Sequence, residues 1–155
     1  GECENLLVVQ TFSKSRSLAG MRVGFALGSP ELIGDLQRMK FSFNPYNLDR
    51  LAILAGAAAM EDEAYFRACI EKVCVTRRRV TEALRDMSFT VLDSKANFVF
   101  AAHKCLSGRR VYEELRARGV LVRHFTKPKI ENFCRITIGS PEQNDALFAA
   151  LDEIL

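Results

Sequence analysis

Lys14 is the side chain in this sequence whose surroundings could make it reactive. Short hydroxyls precede it at Thr11 and Ser13, and a second cation, Arg22, follows eight residues later at the start of an apolar run. An amine that attacks an aldehyde to form an imine must spend part of its time neutral. A neighbouring cation or a desolvating surround favours that state. A phosphate at the other end of the same ligand needs fixed donors, such as a guanidinium fork and short hydroxyls. Thr11, Ser13, Lys14 and Arg22 supply that set, and Gly20 and Gly24 would let the backbone run close to such a ligand. Lysine is mostly an exposed residue, so the same stretch also reads as a basic, serine-rich surface loop. A phosphate loop of the G-x-x-x-x-G-K-[ST] kind does not occur.

Other candidates are spread along the chain. Arg123 and Arg135 lie at the ends of short expected strands, where on the residues alone an arginine is more often a surface or ion-pair residue. Asn97 could orient a substrate or satisfy backbone groups. His103 and His124 lack metal-ligand spacing, and no metal is expected. The five cysteines, Cys3, Cys69, Cys74, Cys105 and Cys134, are scattered and show no C-x-x-C spacing, which fits reduced thiols in a cytoplasmic protein. Arg77, Arg78 and Arg79 read as a solvated helix face, with Arg77 snorkelling from an apolar stripe.

The bulk properties are those of a globular domain. The chain has 155 residues, 48% of them hydrophobic and 26% charged. Its net charge of +3 is too small to argue for nucleic acid or an anionic membrane. No apolar run approaches the roughly 20 residues of a membrane span. The first residue is Gly1 and no signal-peptide pattern follows, which is read as a fragment boundary.

The elements that must position these residues follow from periodicity. Residues 6–10 read as a buried strand, residues 11–20 as a polar, flexible stretch, and residues 22–27 as a second strand. Ser29 and Pro30 open a helix whose apolar face is Leu32, Leu36 and Met39. Asn47 is expected to cap a helix to about Met60, with Leu51, Leu54, Ala55 and Ala58 inward. Asp62 caps the longest helix, striped by Phe66, Ile70, Val73, Val80, Leu84 and Met87. Strands follow at residues 89–92, 97–101, 120–123 and 134–138, with a helix over 109–117 ended by Gly119. Ser140 with Gln143 forms a capping box for a last helix with Leu147, Ala150, Leu151 and Ile154 inward. The class is α/β, with a boundary near the start of the longest helix that divides residues 1–61 from a small α+β unit over residues 62–155.

Residues 11–24 resemble the cofactor-lysine segment of fold-type I aminotransferases, particularly the T-x-S-K-x-x-x-L-A-G-x-R-x-G form of histidinol-phosphate aminotransferases. Pro45-Tyr46-Asn47, Ala96-Asn97-Phe98, Gly119-Val120-Leu121-Val122-Arg123 and Cys134-Arg135-Ile136-Thr137-Ile138-Gly139 are similar, in order, to four later segments of that family. The resemblance implies that the chain is the C-terminal portion of such a transferase: the end of the large pyridoxal-phosphate-binding domain and the small domain. By similarity Lys14 would hold pyridoxal 5'-phosphate as a Schiff base and shuttle a proton between the substrate α-carbon and the cofactor C4′. Thr11, Ser13 and Arg22 would bind the cofactor phosphate. Arg123 and Arg135 would hold the substrate phosphate, and Asn97 would line the site. The implied reaction is transamination of histidinol phosphate with 2-oxoglutarate in histidine biosynthesis, by a cytoplasmic homodimer with no nucleic-acid or membrane partner. An aromatic aminotransferase, a threonine-phosphate decarboxylase or a non-catalytic binding module are the competing readings. In the family, the acidic partner of the pyridine nitrogen, the aromatic that stacks on the ring and a further phosphate-binding loop lie upstream of this stretch. The stretch alone is therefore expected to be inactive or nearly so, and to expose apolar surface that favours self-association or disorder near the N-terminus.

Overall fold

Val8–Thr11 (β1) and Gly24–Leu27 (β2) pair antiparallel, with Val8 opposite Leu27 and Thr11 opposite Gly24. The computed structural model describes residues 3–155, so the boundary expected at Gly1 lies outside the described residues. Between the strands the chain forms a helical turn, Phe12–Ser15 (α1), and a 3-10 turn, Ala19–Met21. The stretch expected to be flexible is thus ordered, because the Thr11 hydroxyl accepts from the Ser13 N–H at 3.1 Å and caps the turn. All four residues of β1 are exposed, contrary to the expected buried strand, since no further strand joins this two-stranded sheet among the described residues.

Pro30–Phe43 (α2) starts as expected, with the Ser29 hydroxyl accepting from Leu32. None of its residues is buried, and Leu36 and Met39, expected inside, are exposed. Arg50–Glu61 (α3) is capped by Asp49, whose carboxylate accepts from Ala52 at 2.7 Å, and not by Asn47. Its buried face is Ala52 and Gly56, one helical turn apart. A Cβ on Gly56 would lie 3.4 Å from the Phe12 ring and 3.3 Å from Val23, so the small residues admit Phe12 and the expected Leu51–Leu54 face turns outward. Phe43 and Tyr46 are 89% and 92% exposed, so these elements present apolar faces that the described chain does not cover.

Glu63–Asp86 (α4) is capped by Asp62 as expected. The chain divides within it into two compact units, Gly1–Ile70 and Glu71–Leu155. The second unit is built on Phe89–Leu92 (β3), Phe98–His103 (β4), Gly108–Ala117 (α5), Arg123–His124 (β5), Cys134–Thr137 (β6) and Pro141–Ile154 (α6). The sheet order is β3-β4-β6-β5, every pair antiparallel. Alternation sends Phe89, Val91, Val99, Ala101, Cys134 and Ile136 to one face, where Val80 and Leu84 of α4, Val111 and Leu115 of α5, and Leu147 and Leu151 of α6 close the core. The other face carries Thr90, Arg135 and Thr137, all exposed. The capping box at Ser140 and Gln143 forms as expected, and Gly119 ends α5 with φ 78°.

Gly108 is pressed closely against the backbone of another segment. A Cβ there would lie 2.7 Å from the carbonyl carbon of Asn132 and 2.7 Å from the carbonyl oxygen of Glu131. Its own carbonyl accepts from the buried Cys134 thiol at 3.3 Å, and burial pushes that thiol up to about 11. Gly108→Ala is expected to destabilise the second unit by about 1–3 kcal/mol, the usual cost of overpacking. Denaturant melts of the variant against the parent check this, and an unchanged midpoint would contradict the close approach.

Candidate functional site

The end of β1 and the start of β2 build one side of the candidate site. Thr11 Oγ1 lies 2.8 Å from Ser13 Oγ while it caps the turn, so the two hydroxyls sit together. Arg22 has a left-handed backbone, φ 56°, and its guanidinium donates to the Ala19 carbonyl at 3.0 Å. The pairing of Thr11 with Gly24 brings the Arg22 segment alongside. Val9, Gln10, Thr11, Ser13, Arg22, Val23 and Gly24 line an open depression of about 300 Å³. The fold therefore collects Thr11, Ser13 and Arg22 at one place. Lys14 follows Ser13 on the same turn with an exposed side chain, but it is not among the residues lining that depression. A Cβ on Gly24 would come 2.7 Å from the Gln10 carbonyl oxygen, so strand pairing already requires glycine there. Gly20 has nothing within 4 Å, and neither glycine needs a ligand to explain it.

The second cluster lies on the face of the four-stranded sheet that points away from the core. Arg123 and Arg135 are direct partners across β5 and β6. Residues so paired have Cβ atoms about 5 Å apart on one face, and like charges there repel. Neither guanidinium has an ion-pair partner among the described residues. Aromatic rings support both: Arg135 lies 5.4 Å over Phe98 and Arg123 lies 5.5 Å over Phe125. Phe100, opposite Arg135 on β4, packs edge-on to Phe125 and stacks on Phe133 with centroids 4.7 Å apart. Two arginines at directly opposed positions without a counter-charge supply the kind of donors that a dianion such as a phosphate monoester takes.

Asn97 is exposed just before β4, and its carbonyl accepts from Ile138 at 3.0 Å. Its neighbours are pinned: Ser94 Oγ accepts from Ala96 N and donates to the Phe98 carbonyl, and Arg77 donates to the Ala96 carbonyl at 2.7 Å. Arg77 is thus bound to a carbonyl and half-buried, not snorkelling as its place on the stripe suggested. Arg78 and Arg79 are exposed as expected, and Arg79 forms a surface ion pair with Asp145. His103 Nδ1 lies within 3.2 Å of the Cys105 and Leu106 N–H groups, and His124 is hydrogen-bonded to the Glu131 carbonyl. No cluster of three or more metal-ligating side chains occurs among the described residues, and none of their helices is long and apolar enough to cross a membrane. Sequence reasoning missed Arg16, whose side chain is 8% exposed, because a guanidinium between two serines gives no sign of the carbonyl it meets.

Residues 1–151 match the family model for aminotransferase class I and II. A histidinol-phosphate aminotransferase of Chromohalobacter salexigens is 51% identical over 150 residues, 97% of this chain and 43% of that protein. Its counterpart in Aromatoleum aromaticum is 54% identical over 151 residues, 97% of this chain and 42% of that protein. The crystal structure of histidinol-phosphate aminotransferase from Sinorhizobium meliloti in complex with pyridoxal-5'-phosphate superposes with a TM-score of 0.85 at 27% identity, over 97% of this chain and 41% of that one. The chain therefore spans well under half the length of the relatives it matches.

Proposed function

The chain belongs to the aminotransferase class I and II family, and from that premise we propose that it is part of a pyridoxal-phosphate enzyme transferring the amino group of histidinol phosphate to 2-oxoglutarate. The activity belongs to the whole protein, a cytoplasmic homodimer in this reading, and this stretch by itself is inactive. The observation that carries the substrate assignment is the cross-strand pair Arg123–Arg135 on its aromatic support. A carboxylate is satisfied by one fork, whereas a phosphate dianion can use two.

The residues at the first cluster fit the phosphate end of the cofactor. Thr11 and Ser13 offer two hydroxyls 2.8 Å apart, and Arg22 lines the same depression. Lys14 lies one position beyond Ser13 and offers the amine for the aldehyde end. When bound there, the cofactor supplies an electron sink for the pair of electrons left as the substrate α-proton departs. Lys14 Nζ holds the cofactor between turnovers and then moves that proton as general base and acid. Arg123 and Arg135 offer the forks for a substrate phosphate, and Asn97 follows a backbone segment held by Arg77 and Ser94.

Substrate profiling of the full-length protein tests the reading. The largest kcat/KM is expected on histidinol phosphate. A larger value on phenylalanine, or carbon dioxide release from threonine phosphate, would overturn the substrate while leaving the cofactor site standing.

A further inference from the structure

We propose that Arg16 is a positioning residue that clamps the turn carrying Lys14 to the junction of α3 and α4. The proposal rests on the reading of Lys14 as the cofactor lysine. The Arg16 side chain is only 8% exposed and spends its donors inside the protein. One terminal nitrogen donates to the Ala59 carbonyl at 2.5 Å, near the end of α3. The other meets Glu63 Oε2 at 3.3 Å, in the first turn of α4. The guanidinium carbon lies 3.5 Å from the centroid of the Phe66 ring, one turn further along. Three different groups thus grip one planar cation, a geometry that a lysine ammonium reproduces only in part.

The backbone on the other side of this grip is what needs holding. The Arg16 N–H closes on the Lys14 carbonyl, and the Ser17 N–H donates to the same oxygen at 3.2 Å. Ser17 has φ 58°, a left-handed conformation that a serine disfavours. Such a residue persists only where its surroundings over-determine it. At the far end of the loop, Arg22 with φ 56° is tied by its own side chain to Ala19. At the near end that tie is Arg16, adjacent to Ser17. With its donors taken by Ala59 and Glu63, Arg16 is not free to bind a cofactor phosphate beside Arg22. Its effect on the cofactor passes through the orientation of Lys14.

The test uses the full-length protein loaded with pyridoxal phosphate. Two properties are read: the rate at which the cofactor is lost, and the pH titration of the visible absorption of the lysine-linked form. Arg16→Met is expected to speed cofactor loss roughly tenfold, the scale of releasing one strained residue, and to move the titration midpoint. Arg16→Lys restores part of both. Ser17→Gly added to Arg16→Met restores both further, because glycine adopts the left-handed backbone without strain. Glu63→Gln leaves the Ala59 and Phe66 contacts in place and moves both readouts the same way by a smaller factor. Arg16→Met with parental retention and titration would overturn the proposal, as would a loss that Ser17→Gly fails to repair. A parent protein that shows no lysine-linked absorption overturns the Lys14 reading itself, and with it this proposal.

Discussion

Full-length protein carrying Lys14→Ala is expected to lose about four orders of magnitude in kcat for transamination and to keep its melting temperature. The size of the loss follows from the two tasks assigned to one amine. A positioned acid or base is worth roughly a hundredfold to ten-thousandfold, and loss of the covalent attachment adds to that. The stability expectation follows from the structure, because the Lys14 side chain is exposed and makes no hydrogen bond or ion pair among the described residues. Lys14→Arg separates nucleophile from charge. A guanidinium keeps the positive charge but stays protonated, so it can neither attack an aldehyde nor carry the proton. It should be as inactive as the alanine variant. Added methylamine should recover part of the alanine variant's rate and none of the arginine variant's, since only alanine leaves space for an amine. Steady-state kinetics at saturating histidinol phosphate decide the matter. A Lys14→Ala protein retaining a tenth of the parental kcat would remove Lys14 from the chemistry.

What the sequence disclosed depended on whether this chain covers its own apolar faces. In the second unit it does. Phe89–Leu92 occurs where alternation placed it, Ser140 and Gln143 form their box, and Leu147, Ala150 and Leu151 face inward as read. In the first unit, Leu36, Met39, Leu51 and Leu54 obeyed helical spacing and yet stand exposed. Periodicity reports that a face is apolar, not that the same chain supplies the surface to cover it. The buried face of α3 escaped notice because Ala52 and Gly56 carry too little hydrophobicity to form a visible stripe, although their smallness is what admits Phe12. The helix start was misplaced by two residues because Asn47 and Asp49 are both competent caps, and only the carboxylate of Asp49 reaches an N–H three positions ahead. For the candidate site, local spacing sufficed to nominate Thr11, Ser13 and Arg22, which share a depression. The juxtaposition of Arg123 with Arg135 needed strand register, which no short window contains. The partners of Arg16 and Arg77 were hidden for a related reason: both are held by backbone carbonyls, and carbonyls are the same at every position of a sequence.

The Arg123–Arg135 pair makes a prediction in which stability and activity move in opposite directions. Like charges placed directly across two antiparallel strands repel, and here no acidic side chain among the described residues offsets them. Removing either charge should therefore leave the melting temperature equal or slightly higher. The same change should cost roughly a hundredfold in kcat/KM on histidinol phosphate, the scale of losing one charge-assisted fork. Arg123→Gln and Arg135→Gln are the variants to compare, because glutamine removes the charge and keeps a polar, unbranched side chain. Their effects should not add, since the two forks share one anion and the first loss already frees it to shift. Inorganic phosphate should inhibit the parent competitively against histidinol phosphate and inhibit each variant less. 2-Oxoglutarate carries carboxylates, each of which a single fork can satisfy, so its KM should rise less than that of the phosphorylated substrate in at least one of the two variants. If both variants bind inorganic phosphate and turn over histidinol phosphate like the parent, the substrate phosphate sits elsewhere, and the two unpaired guanidiniums on this sheet face await a different anion.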